Sequence, residues 1–198
     1  MVTIPTKNYT PTRHRFTVEQ YYKMAEVGIL DITQRTELIE GEIIEMSPIG
    51  TKHAICVSDI SEILTTKTIH FAHVRQQNPV HLSDRSEPQP DIALVKRPSS
   101  RYINSHPTPA DIFLLIEVSD TTLKYDREIK VPLYAKATIP EVWIANLEAQ
   151  TLEVYRQSDE TGYQDIKQYT KGEVITLESF AEIAIAIDEI FLNAIASP

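Results

Sequence analysis

Asp91 follows Pro90 and opens a short apolar run, DIALV, while Glu117 closes a longer one, IFLLIEV. If those two segments are neighbouring strands, two carboxylates meet at one edge of a sheet. Such a pair repels, so one acid must take a proton or a cation must sit between them. Hard oxygen ligands of this kind suit Mg2+ or Mn2+ rather than zinc, and the backbone carbonyl of Val118 could supply a further oxygen. Lys130 lies shortly beyond Glu117 and brings a cation that could orient water or hold developing negative charge. With a metal to polarise a phosphoryl oxygen and lower the pKa of bound water, the set is suited to phosphodiester hydrolysis. Taken singly, each acid also has a plain reading: Asp91 as turn chemistry before a strand, and Glu117 as the partner of a surface arginine.

The elements that would have to position these groups can be read from periodicity. Residues 17–30 carry helical spacing, with Thr17 as N-cap and Glu19 and Gln20 in the first turn. The stretch ELIEGEIIEM, 37–46, reads as two short strands around Gly41. An apolar stripe of Ile55, Ile60, Ile63 and Leu64 predicts a helix over 53–67. Segments 72–82 and 91–95 read as strands, and 96–110, with three prolines, as a loop. The unbroken run IFLLIEV predicts a strand buried on both faces. A short helix is expected near 128–137 with Pro132 in its first turn, because proline costs roughly 3 kcal/mol inside a helix. Segments 141–145 and 151–156 form a second hairpin signal, 162–168 and 173–177 are further strand candidates, and an apolar segment, 180–195, closes the chain. Without repeats or long linkers, the expectation is an extended lead-in over 1–16 and a single domain over 17–198. Its class would be α/β or α+β, a mixed sheet flanked by helices.

Composition narrows the function. The chain has 198 residues, 42% apolar and 24% charged, with a net charge of −9, which argues against a non-specific nucleic-acid coat protein. A nuclease is compatible with that charge, since acids gathered to hold divalent cations lower the count. Apolar runs fall far short of the ~20 residues that span a bilayer, so no membrane role is expected. The N-terminal MVTIPTKNYTPTRHRF has no apolar core of the secretory type. Cys56 is the single cysteine and is expected in the core; the absence of a disulfide framework fits the cytoplasm.

The order P-D-x-A-L-V, then I-E-V-S, then D-x-x-x-K-x-x-x-Y, then E-V-W-I, preceded by ELIEGEIIEMSP and His53, resembles the Uma2 family (DUF820). These endonuclease-like proteins, abundant in cyanobacteria, have the restriction-endonuclease PD-(D/E)xK fold. The resemblance implies that Asp91 is the aspartate of the PD motif and Glu117 the acid of the E-x-K motif. Ser119 stands where the motif's lysine belongs, and in families of this kind the lysine comes from the following helix, here Lys130. Lys124 is a competitor for that role. The resemblance also nominates Glu37 as a further acid, of the sort that restriction-like folds supply from an early helix, with Glu40 and Glu42 as alternatives. His53 would orient a phosphate or a water, or cap its helix. Asp126 is an accessory candidate as a partner of Lys130, and Tyr134, one turn further on, could reach the same cleft or pack in the core. His70 and His73 have metal-like spacing without a third ligand and are read as structural.

Basic residues crowd two loops: Lys96, Arg97 and Arg101 after the Asp91 strand, and Lys124 and Arg127, with Lys130, after the Glu117 strand. Both loops are expected to leave the sheet near the acids, where phosphates would need positive charge. The leading reading is therefore a Mg2+- or Mn2+-dependent endonuclease acting on DNA. The alternatives are an inactive or weakly active module that binds nucleic acid or protein on the same fold, and a metal hydrolase of small phosphoesters. Restriction-like folds commonly form homodimers, and the apolar residues Ile183, Ile185, Ile187, Ile190 and Phe191 would serve either such an interface or the core.

Overall fold

The computed structural model describes residues 12–31 and 33–191; most of the expected lead-in, and residues 192–195 of the closing apolar segment, lie outside them. At its centre is a six-stranded sheet whose strands run in chain order. They are β3 (Ala72–Gln76), β4 (Ile92–Lys96), β5 (Ile112–Ser119), β6 (Glu141–Asn146), β7 (Thr151–Asp159) and β8 (Gly162–Tyr169). Every neighbouring pair is antiparallel except β5 and β6. That parallel pair needs a crossover, which runs through α3 (Leu123–Tyr125), a π-helical turn (Asp126–Lys130) and α4 (Val131–Lys136).

The period-two alternation of side chains divides the apolar residues of β5 between two cores. Leu114, Ile116 and Val118 pack with Trp143 and with Cys56, Ile60 and Leu64 of helix α2 (Thr51–Thr68). Leu115 packs on the other face with Val131, Tyr134 and Ala135 of α4, where Ile112 joins it because the register shifts between Leu94 and Val95 and breaks the alternation. The sheet is thus covered on both faces, which is why IFLLIEV reads as an unbroken apolar run. Each fully buried Leu or Ile there contributes about 1.5–3 kcal/mol of transfer free energy. The C-terminal hairpin, β9 (Val174–Leu177) with β10 (Phe180–Ala186), and the short helix α5 (Ile187–Phe191) complete the α2 side. Ile183, Ile185, Ile187, Ile190 and Phe191 are all core residues there. Cys56 is buried beside them, its Sγ 3.7 Å from the Ile190 carbonyl, and burial pushes its thiol up to about 12.

At the other end of the chain, Thr17 caps α1 (Val18–Glu26) in a reciprocal box with Gln20. The hairpin of β1 (Thr36–Ile39) and β2 (Glu42–Glu45) turns through Glu40 and Gly41, both at positive φ, as a tight two-residue turn requires. A Cβ on Gly41 would come within 2.8 Å of the Arg15 side chain, so the close approach of the lead-in also requires glycine. A backbone bond from Glu87 N–H to the Leu38 carbonyl, at 2.8 Å, fixes the hairpin to the body.

Three expected elements differ. The helix expected over 17–30 ends at Glu26, with Gly28 at positive φ just beyond it. The 72–82 strand ends at Gln76, because Gln77 adopts φ of 50° and Pro79 has no N–H to offer the ladder. The crossover helix starts at Leu123, ahead of 128, and reaches Pro132 through the π turn. A proline ring clashes with the carbonyl four residues earlier in a regular α-helix, and a π turn directly before Pro132 departs from that geometry. Among the described residues, no helix is long and apolar enough to cross a membrane.

Candidate functional site

Register brings the acids together. Ile92 on β4 pairs with Ile116 on β5 in antiparallel fashion, so Asp91, one residue earlier, stands beside Glu117. The Val118 amide donates to Asp91 Oδ2 at 2.9 Å, and His53 Nε2 lies 3.0 Å from the same oxygen. Gln77 Nε2 makes a longer contact, 3.4 Å, with Asp91 Oδ1. Burial works to raise the Asp91 pKa, but the hydrogen bond and charge of His53, the Val118 amide and Lys130 outweigh it, and the carboxyl is held below its ordinary value. On His53, burial opposes protonation, and the hydrogen bond and charge of Asp91 prevail, raising its pKa. His53 lies in the first turn of α2, behind Gly50 as N-cap. It therefore holds Asp91 and does not cap its helix, and its Nδ1 is buried without a hydrogen-bond partner among the described residues.

Glu117 faces the crossover. Tyr134 donates its hydroxyl to Glu117 Oε1 at 2.5 Å, and Lys130 Nζ lies 3.3 Å from that oxygen. Lys130 also sits 2.8 Å from Glu37 Oε2, an oxygen that accepts the Gln89 amide at 3.0 Å. Asp126, Lys130 and Tyr134 recur every fourth residue, and all three are buried on the side of the crossover facing these acids. Burial, together with the charges of Asp126 and Asp91, pushes the Glu117 carboxyl well above its usual value despite Lys130. Burial pulls the Lys130 ammonium the other way, but Glu117 and Glu37 hold it firmly protonated. Burial and the charge of Glu117 keep Tyr134 a neutral donor. Asp126 is raised by burial, against hydrogen bonds from Ser119 and Thr122 at 2.7 Å each.

These groups floor a cleft of about 490 Å³ whose lining includes Glu37, His53, Asp91, Glu117, Val118 and Lys130. Asp126 lines it too; Tyr134 reaches it through its bond to Glu117. Glu37 comes from strand β1, in line with the strand reading of 37–46 and not from an early helix of the kind that restriction-like folds often use. Glu40 and Glu42 turn outward, to Lys136 and to Arg15 at 2.7 Å each. Lys124 is exposed on α3, outside the lining, so Lys130 is the lysine that meets the acids.

Of the two basic loops, the one after β5 borders the cleft through Asp120, Thr121, Thr122, Tyr125, Asp126 and Lys130, and the one after β4 does not. Asp91 precedes β4 whereas Lys96 ends it and pairs with Ala72, so Lys96, Arg97 and Arg101 leave the sheet at the end away from the acids. Arg97 donates to the Ala72 carbonyl, and Arg101 clasps Asp111 at 2.9 Å. Arg127 points to β7, where it pairs with Glu153. His70 is exposed, and His73 lies within β3. Sequence reading missed Gln89, Gln77 and Tyr125, which donates to Glu37 Oε1 at 3.4 Å. Gln89 acts on Glu37 through its backbone amide, which carries no side-chain signal.

The family model described as "Putative restriction endonuclease", Uma2, matches residues 18–188. The chain belongs to the Uma2 family. The match spans β1 to β10 and thus every element that floors the cleft of this Uma2 chain. Its fold is similar to that of a solved protein from Anabaena variabilis ATCC 29413, described as "a putative nuclease belonging to DUF820". The TM-score is 0.72 at 19% identity, over 91% of this chain and 99% of that one; at that identity the likeness speaks for the fold. Among curated proteins none matches.

Proposed function

We propose that this Uma2 protein is a Mg2+- or Mn2+-dependent endonuclease that hydrolyses phosphodiester bonds in DNA. The observation that carries the reading is the juxtaposition, at one strand edge, of Asp91 and Glu117 with Lys130 buried against Glu117. The donor set of two carboxylates beside a backbone carbonyl fits Mg2+, which binds through one or two carboxylates, water and substrate phosphate and not through an all-protein cage. Asp91, Glu117 and the Val118 carbonyl would hold it. When bound, it would polarise the phosphoryl oxygen and lower the pKa of a water.

The chain's own groups have distinct tasks. His53 and the Val118 amide fix Asp91 Oδ2, which leaves Oδ1 with the weak Gln77 contact and the freedom to bind. Lys130, kept charged by its acids, would stabilise negative charge on the phosphorane-like transition state or orient the attacking water. Glu37 and Tyr134 hold Lys130 and Glu117 in place. A second reading, a binding module on the same fold, draws on the fact that one oxygen of each acid is already taken by protein donors.

Calorimetric titration with Mn2+ and Mg2+, on wild type, Asp91→Ala and Glu117→Ala, with plasmid cleavage in the same samples, separates the two. Binding and nicking that both substitutions abolish are expected. A wild type that binds no metal even with DNA present would sink the nuclease reading and leave the binding module.

A further inference from the structure

The cleft has a second character besides its acids. Ile44 and Met46 on and after β2, and Pro48 and Ile49 in the loop to α2, form an apolar part of its lining. Ile49 is 43% exposed, and Tyr125, half-buried, joins the lining from the crossover. Phosphate finds no partner on an apolar wall, but a nucleobase does, because every base has an apolar face.

The charges around the cleft point the same way. Duplex binding draws its affinity from rows of Lys and Arg along the phosphates. Among the described residues, the cationic side chains of the lining are Arg35 and Lys130, together with His53. Lys130 is buried between Glu37 and Glu117, and His53 is bound to Asp91. Arg35 remains, held by a long bond of 3.5 Å to Gln89 Oε1. Glu45 and Asp120 add negative charge to the same lining. Lys96, Arg97 and Arg101 lie at the far end of β4, Arg127 pairs with Glu153, and exposed Lys124 stands outside the lining. A cleft of about 490 Å³ falls within the 300–1,000 Å³ typical of pockets for single small molecules, a size suited to one nucleotide unit.

We propose that the cleft takes an unpaired nucleotide of single-stranded DNA, its base on the Ile44–Met46–Ile49 wall and a neighbouring phosphate on Arg35. This inference rests on the nuclease reading for its substrate chemistry. Duplex DNA would enter only where a strand is frayed or splayed.

The test is fluorescence anisotropy with a dye-labelled single strand and a hairpin duplex of the same sequence, in Ca2+ and over a range of salt. Cleavage of both is followed separately in Mn2+. The single strand is expected to bind about tenfold more tightly than the duplex, the scale of one stacked base. The slope of log K against log salt should be about −0.7 to −1.4, the value for one or two phosphates on a single strand. Ile49→Asp should lose about tenfold in single-strand affinity with Mn2+ binding intact, and Ile49→Val should retain it. Arg35→Gln should flatten the slope by about 0.7.

Equal or tighter duplex binding, a slope steeper than about −4, or an indifferent Ile49→Asp would overturn the proposal, as would binding of neither DNA. Plasmid nicking without single-strand preference would leave the nuclease reading standing and remove this one. Single-strand binding without cleavage in Mn2+ would do the reverse.

Discussion

The ammonium of Lys130 is held 2.8 Å from the carboxylate of Glu37, which belongs to a hairpin outside the six-stranded sheet. The contact joins two parts of the fold inside the cleft, and both side chains are almost fully buried. Lys130→Met removes the cation and leaves Glu37 and Glu117 buried without their shared partner. The expected loss is about 3–5 kcal/mol of unfolding free energy, read from urea melts. Adding Glu37→Gln should recover part of it; a double variant no more stable than Lys130→Met would show that the two residues are not coupled.

Activity should separate the two lysines more sharply than stability does. Lys124 is exposed and outside the cleft lining, so Lys124→Ala should leave plasmid cleavage within a few-fold of wild type. Lys130→Ala should lower the single-turnover rate by about 10²–10³, the usual effect of losing a group that stabilises transition-state charge. Equal losses in the two variants would count against the role given to Lys130.

Glu117 predicts a pH effect of definite sign. Its carboxyl is raised well above the ordinary value by burial and by the charges of Asp126 and Asp91. Between the unfolded pKa and the raised folded one, the native state binds more protons, so this residue's contribution to stability falls as pH rises through that window. Glu117→Gln, which mimics the protonated acid, should therefore be more stable than wild type near neutrality. The difference should vanish below the unfolded carboxylate pKa of about 4.3. Paired urea melts across pH check it; a gap that stays constant with pH would exclude the linkage.

A structural control lies outside the cleft lining. Glu141 is 1% exposed and accepts from Arg156 Nε at 3.0 Å, Trp143 Nε1 at 2.8 Å and the Glu178 amide at 2.9 Å. It ties β6 and β7 to the turn of the C-terminal hairpin. Arg156→Met should cost about 3–5 kcal/mol by leaving a buried carboxylate unpaired, with Mn2+ binding by the remaining folded protein unaltered. A loss of metal binding with full stability would reverse that assignment.

What the sequence revealed, and what it hid, follows from the range of each signal. IFLLIEV announced a doubly covered strand because side-chain polarity alone encodes it, and the pairing of Asp91 with Glu117 follows once β4 and β5 are neighbours. The spacing of Asp126, Lys130 and Tyr134 survives in the crossover as a common face. Strand direction was hidden. Since β4 runs antiparallel to β5, the acids share one end and Lys96, Arg97 and Arg101 the other, which no local pattern states. Glu37 was legible both as an acid and as part of the strand pair around Gly41, but its grip by the Gln89 amide is a long-range backbone contact.

The burial of Lys130 also gives the folded protein a chemical signature. An amine shut away from solvent and kept as ammonium by two acids is a poor nucleophile, so acylating reagents that mark exposed Lys52 and Lys124 should pass it by. Lifting the β1–β2 hairpin from the crossover would remove Glu37 and expose Lys130. The acylation rate at this one side chain is thus a clock for how often the cleft comes apart.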